Sequence, residues 1–168
     1  MNTVPQGVNI MANSFLTILD KDKIKDFRIR KPLIIKKGET LKATLKKMKK
    51  DRRGSVLIES KGKLVGIFTE RDLLTRVLPD QVSLSKKIDD FMSTKIATLS
   101  PDDSMAKAIS IMNENGVRHV PIVNKKKLTI EGIISVRDVL DYLADHFPAE
   151  VYNLPPDLNQ ISRQPEGA

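Results

Sequence analysis

The chain has 168 residues, no cysteine, two histidines and 4% aromatic residues, and its 29 Lys or Arg against 21 Asp or Glu give a formal net charge of +8. That inventory excludes a disulfide, a cysteine nucleophile and a zinc site, and gives little support to recognition of unpaired bases by stacking. The length allows one good hydrophobic core, or two small ones packed together.

The chain as far as Pro32 looks like an arm, with a short helix over residues 13–20. Its apolar stretch Phe15–Leu19 lacks a basic leader and is too short and polar to span a bilayer, so a cytoplasmic protein without a membrane span is expected. Residues 21–53 carry 15 Lys or Arg against 4 Asp or Glu, a net of +11. Such a block attracts nucleic acid, an acidic partner or anionic lipid, or is simply a solvated helix face.

Leu33-Ile34-Ile35 is a short apolar run, and Lys37-Gly38-Glu39 turns the chain into a helix from Thr40 to about Asp51, whose apolar residues 41, 45 and 48 mark one buried stripe. Gly54 breaks that helix. Ser55–Ile58 reads as a strand, Lys61-Gly62-Lys63 as a tight turn and Leu64–Phe68 as a second strand. Helix resumes from Thr69 to about Leu78 and is closed by Pro79, and Ser83–Met92 offers a short amphipathic connector helix. Ile96–Leu99 is a strand. Ser100-Pro101-Asp102-Asp103 starts a helix, with proline near its first turn, that ends near Gly116. Val117–Val123 and Leu128–Ile134 form a hairpin, the last helix runs from Ser135 to about His146, and Val151–Ala168 is a partly ordered tail.

The chain is one unit written twice. Gly-Ile-Phe-Thr-Glu-Arg-Asp at Gly66–Asp72 recurs as Gly-Ile-Ile-Ser-Val-Arg-Asp at Gly132–Asp138, and upstream Thr40-Leu41, Leu45 and Met48 match Ser104-Met105, Ile109 and Met112 at a shift of 64 residues. Two copies at this period form a paired domain rather than an open array. Each copy ends a strand, places a hydroxyl at a helix start and a carboxylate three residues on. Taken singly that is a capping box. Capping, however, demands neither the repeated Gly-hydrophobic-hydrophobic prefix nor the arginine before each Asp. Gly66 and Gly132 imply a close approach to the backbone. A carboxylate beside a helix start can accept both hydroxyls of a ribose, which makes Asp72 and Asp138 candidate ribose readers. Arg71 and Arg137, just before the two carboxylates, read as ligand contacts or helix-surface charges, the surface reading being favoured. Pro121 cannot donate to a ladder and marks an edge, or a place where another group approaches.

Gly-h-h-Thr/Ser-x-x-Asp in both copies, preceded in the second by Gly116-Val117-Arg118-His119-Val120-Pro121-Ile122-Val123, resembles a tandem pair of cystathionine-β-synthase (CBS) domains, a Bateman module. The resemblance covers about residues 24–147. It implies an α+β fold of two β-α-β-β-α units packed about a pseudo-twofold axis: an arm over 1–23, the first unit over 24–80, the second over 81–147 and a tail over 148–168. It implies no catalysis, no required cofactor and no metal. Instead it implies an adenosine-containing regulatory ligand (AMP, ADP, ATP, NAD or S-adenosylmethionine) in clefts between the units, a homodimer, and a protein partner regulated in trans.

Carried over residue by residue, the resemblance gives Asp138 the ribose hydroxyls, Ser135 the ribose or phosphate, Ile133 a flank of the adenine beside Val120 and Pro121, and Arg118 and His119 the phosphate. Asp72, Thr69 and Ile67 are the matching residues of the first copy. There, however, Gly54 and Ser55 stand where Arg118 and His119 would be, so two unequal sites are expected, with the Asp138 site stronger for phosphorylated ligands. The alternative function is nucleic-acid binding by the basic face of residues 40–53.

Overall fold

The structure is a computed structural model that describes residues 17–27, 29–127 and 129–147. By its internal contacts the chain divides into two compact units, Met1–Val136 and Arg137–Ala168. The helix expected over 13–20 is seen at residues 17–21, its earlier part lying outside the described residues, as do the Val151–Ala168 tail and most of the arm.

Within the larger unit, the first copy builds β1 (Ile34–Lys36), α1 (Leu41–Lys50), β2 (Ser55–Ser60) and β3 (Lys63–Thr69) into a sheet of order β1-β2-β3, parallel between β1 and β2 and antiparallel between β2 and β3. α2 follows as Glu70–Asp72 and loosens into a π-helical stretch, Leu73–Val77. Two residues explain the loosening. Thr75 Oγ1 donates to the Arg71 carbonyl at 2.8 Å, and Pro79 has no N–H to offer the carbonyl of Thr75. The second copy contributes α3 (Met105–Glu114) and an antiparallel pair, β4 (His119–Val123) with β5 (Ile130–Ser135). α4 is Val136–His146. In the smaller unit, Val139 and Tyr142 are buried, and the Tyr142 ring lies 4.4 Å from that of His146 and edge-on to Phe147 at 6.1 Å.

α1 and α3 are built alike. Thr40 and Ser104 cap them, each hydroxyl accepting the N–H three residues on at 3.2 Å, which stabilises a helix by about 1 kcal/mol. Each also ends in the same closure: Arg53 donates to the Met48 carbonyl at 2.9 Å and Arg52 to Lys49 at 3.3 Å, matched by Val117 to Met112 at 3.0 Å and Gly116 to Asn113 at 3.3 Å. The residue that turns left-handed is Gly116 (φ 60°) in one copy and Arg52 (φ 50°) in the other. Arg52, two residues before the expected breaker Gly54, therefore ends the first helix.

The core lies on both faces of β2. Val56 and Ile58 pack with Ile35, Leu41, Met48, Phe68, Val77 and Ile88, while Leu57 points the other way to join Ile67 and Ile133.

Three expected elements differ from the reading above. Ser83–Met92 is turns and a single 3-10 turn, Ile88–Asp90, because Ile88 is the residue buried there and the flanking backbone is used for pairing. Pro101 starts no helix: Asp103 N–H closes a turn on the Ser100 carbonyl at 3.0 Å, and α3 begins only after Ser104. Ile96–Leu99 shrinks to one bridge, Leu99 to Ile122. In the first copy the Leu57 N–H donates to the Leu33 carbonyl at 2.9 Å, and Leu57 sits opposite Ile67 as Pro121 sits opposite Ile133. Proline has no such N–H, so the equivalent ladder loses a rung and the second copy keeps only the bonds made by Leu99.

The two copies exchange the segments that lead into them. Residues 22–27 and 29–30 pair with the second copy: Lys23 bridges Ser104 and Arg30 bridges Ile133. Ile24 N–H donates to the Asp103 carbonyl at 2.9 Å, and Met105 N–H to Asp22 at 3.0 Å. Reciprocally, residues 86–93 pair with the first copy, where Lys87 bridges Thr40 and Ser93 bridges Ile67. Ile88 donates to the Glu39 carbonyl at 2.8 Å, and Leu41 to Lys86 at 2.9 Å. Reciprocity of this kind is what a pseudo-twofold axis generates.

Candidate functional site

At each junction where the second hairpin strand meets the following helix, the hydroxyl of the motif lies directly across from the start of the other strand. Thr69 is opposite Ser55, and Ser135 is opposite His119. One backbone bond frames both junctions: Glu70 N–H to the Gly54 carbonyl at 3.0 Å, and Val136 N–H to the Arg118 carbonyl at 3.0 Å. Gly54 and Ser55 therefore occupy the places of Arg118 and His119. Glu70 Oε2 would lie only 3.0 Å from a Cβ on Gly54. A carboxylate thus stands near the place where the second copy carries a guanidinium side chain.

In the first copy the motif is a complete capping box. Asp72 Oδ2 accepts from Thr69 N at 2.8 Å and from Thr69 Oγ1 at 2.6 Å, while Asp72 N donates back to Oγ1 at 3.3 Å. Oδ1 faces Arg76 Nε at 3.5 Å. The carboxylate is buried, with one oxygen saturated and the other held by a long, partly solvated ion pair, and Oδ1 keeps acceptor capacity for a further donor.

The other sequence-derived residues fall as follows. Ile67 and Ile133 are buried together with Leu57. Their amides are already bonded, Ile67 to Ser93 O at 3.0 Å and Ile133 to Arg30 O at 3.3 Å. Val120 is fully buried, and by strand alternation it lies on the face opposite Pro121. Arg118 is exposed, and His119 and Ser135 are half-buried. Asp138 is half-buried in the first turn of α4.

The groups that approach Gly66 and Gly132 belong to the exchanged leaders. A Cβ on Gly66 would lie 2.1 Å from Met92 Sδ, and one on Gly132 would lie 2.0 Å from Ile29 Cγ2. The exchange of leaders, and the bond that the exposed Arg71 donates to the Gly116 carbonyl at 2.9 Å, are not evident in the sequence reading above. The signal was present: Lys23-Ile24-Lys25-Asp26-Phe27 recurs as Lys87-Ile88-Asp89-Asp90-Phe91 at the same shift of 64.

Besides Arg76–Asp72, ion pairs of this unit lie outside the motif. Lys25 Nζ meets Asp102 Oδ1 at 2.8 Å, each group favouring the other's charged form through that hydrogen bond. Burial raises the Asp103 carboxyl, but the hydrogen bonds from Lys107 and from Ser100 N–H, with the charges of Lys107 and Lys125, together hold it below the usual range. Among the described residues no group of three or more His, Cys, Asp or Glu is placed to hold a metal ion, and no helix is long and apolar enough to cross a membrane.

Comparison with known proteins matches a family model, the CBS domain, to residues 24–79 and 88–145. An uncharacterized 17.7 kDa protein of Acidianus ambivalens is 31% identical over 124 residues, covering 73% of this chain and 74% of that one. The chain spans 74%, 58% and 26% of the lengths of three curated relatives. The CBS domain pair of protein MJ0100, solved in complex with 5′-methylthioadenosine and S-adenosyl-L-methionine, superposes with a TM-score of 0.66 at 21% identity, over 73% of this chain and 96% of that one. A CBS domain protein of Pyrobaculum aerophilum complexed with AMP superposes with a TM-score of 0.65 at 23% identity, over 73% and 98%. The duplicated sequence, the exchanged leaders and the family match lead to one assignment: this chain belongs to the CBS domain family, as a tandem pair.

Proposed function

We propose that the chain is a non-catalytic regulatory module that binds an adenosine-containing ligand and passes its occupancy to a partner protein or through its own homodimer. The observation that carries this reading is the motif pair itself: one hydroxyl-x-x-carboxylate sequence, after the same strand, in the same backbone frame, twice. Pairs of this fold have been solved with AMP, S-adenosylmethionine and methylthioadenosine, whose common part is adenine on a ribose ring.

In this reading Asp72 and Asp138 take ribose hydroxyls, the first through Oδ1, with Thr69 and Ser135 beside them. Ile67, Ile133 and Pro121 form apolar surroundings for the base, with Val120 backing them from the other face of its strand. Arg118 and His119 meet phosphate in the second copy only, where a guanidinium fork is a well-fixed phosphate partner. The first copy offers Gly54 and a nearby Glu70 carboxylate instead, so its site prefers an uncharged substituent on the ribose. The functional units are residues 24–80 and 81–147, in a cytoplasmic homodimer acting on a separately encoded protein.

Isothermal titration against AMP, ADP, ATP, NAD and S-adenosylmethionine tests the reading. Micromolar binding of any of them supports it, and the absence of binding for all five overturns it.

A further inference from the structure

The fold carries an internal control for its own surface charge. α1 holds five lysines and no acid in ten residues, whereas α3, its counterpart at a shift of 64, holds one lysine in ten. Lys42, Lys46, Lys49 and Lys50 of α1 are matched in α3 by Ala106, Ser110, Asn113 and Glu114. Both helices share the same cap, the same C-terminal closure and the same buried positions, so the lysines are not needed to build the helix.

Those four lysines fall within an arc of about 100° on the helix, roughly 150° from the buried residues Leu41, Thr44 and Met48. All four are exposed, and among the described residues none has an acidic partner; the lysine of α1 that does is Lys47, paired with Glu39 at 2.8 Å. Neighbours three and four apart on a helix stand about 5–6 Å from each other at Cβ. The result is a ladder of flexible, unneutralised cations suited to a row of phosphates.

We infer that this face of α1 is a docking surface for the phosphate backbone of a nucleic-acid duplex. A lipid surface fits less well: an interfacial helix inserts its apolar face, and the apolar face of α1 is spent on the core. A second copy of the chain does not fit, because an isologous contact here sets lysines against lysines. With little aromatic surface and no acceptor side chain on the stripe, the contact reads backbone charge and not sequence.

The test is fluorescence anisotropy of the full chain with labelled 20-base-pair RNA and DNA duplexes over a salt series, with excess AMP to occupy any nucleotide site. Four phosphate contacts give a slope of about −3.6 in log Kobs against log salt. The variant carrying Lys42→Gln, Lys46→Gln, Lys49→Gln and Lys50→Gln is expected to lose at least about tenfold in affinity at low salt and most of the slope. A charge-matched control with Lys63→Gln, Lys95→Gln, Lys126→Gln and Lys127→Gln, all exposed positions, is expected to keep both. If the quadruple variant does not fold, Lys46→Gln with Lys50→Gln carries the test with about half the slope lost. Equal losses in both sets, no duplex binding at low salt, or binding to phosphatidylserine vesicles in place of duplex overturns the inference.

Discussion

Arg71 donates from Nη1 to the carbonyl oxygen of Gly116, 2.9 Å away and 45 residues further along the chain. Arg71 lies inside the first motif, and Gly116 is the left-handed residue two positions before Arg118. The bond ties the helix of one copy to the loop that presents the candidate phosphate ligand of the other. It is exposed, so Arg71→Ala is expected to change global stability by less than about 1 kcal/mol. Its expected effect is local, a several-fold loss of affinity for AMP with adenosine binding unchanged, measured by paired titrations. Equal losses for both ligands would show that Arg71 does not act through the phosphate loop.

The two tight glycines predict unequal costs. At Gly66 an added methyl meets the far end of Met92, a flexible side chain that can swing aside. At Gly132 it meets Cγ2 of the β-branched Ile29, with the Arg30 carbonyl at 3.5 Å behind it. Gly132→Ala is expected to destabilise by about 1–3 kcal/mol and Gly66→Ala by less. Urea denaturation of both variants checks the order, and Met92→Ala is expected to recover most of the loss at Gly66 but none at Gly132.

Asp72 does two jobs in the proposed reading, and they can be separated. Asp72→Ala removes the capping box and is expected to cost about 1 kcal/mol by thermal melting. It is expected to spare the stronger site, while Asp138→Ala abolishes that site. Titration with AMP on folded variants reads the difference directly; identical losses from the two substitutions would remove the asymmetry.

Asp103 sets part of the acid limit of the fold. Its carboxyl is held below the usual range in the folded chain, so the stabilisation it provides is complete above the unfolded value, about 3.9, and is lost as pH falls through the folded value. Asp103→Asn is expected to flatten the stability profile below about pH 4 while lowering the plateau at neutral pH, seen in melting curves across pH 2–7.

The helices and hairpins were legible because their signals are local. Thr40, Ser104 and the apolar spacing of α1 announce those elements by themselves. What sequence order hid depends on partners far away. Ser83–Met92 looked amphipathic because Ile88 is buried, but it is buried in the core of the other copy. Ile96–Leu99 looked like a strand, and its shortening was decided by a proline more than twenty residues downstream. The motif residues were found by their repetition, whereas Arg71 and the Gly116 carbonyl share no pattern that a single chain reveals.

The exchange of leaders has a consequence for synthesis. The first leader leaves the ribosome before its partners in the second copy exist, since Ile24 waits for Asp103 and Arg30 for Ile133. At about 5–20 residues per second, the interval between Arg30 and Ile133 is roughly 5 to 20 s. The first copy can meanwhile complete itself with residues 86–93, which follow it closely. Translation therefore imposes an order: the first hairpin closes early, and a leader that emerges before it is among the last segments to be seated.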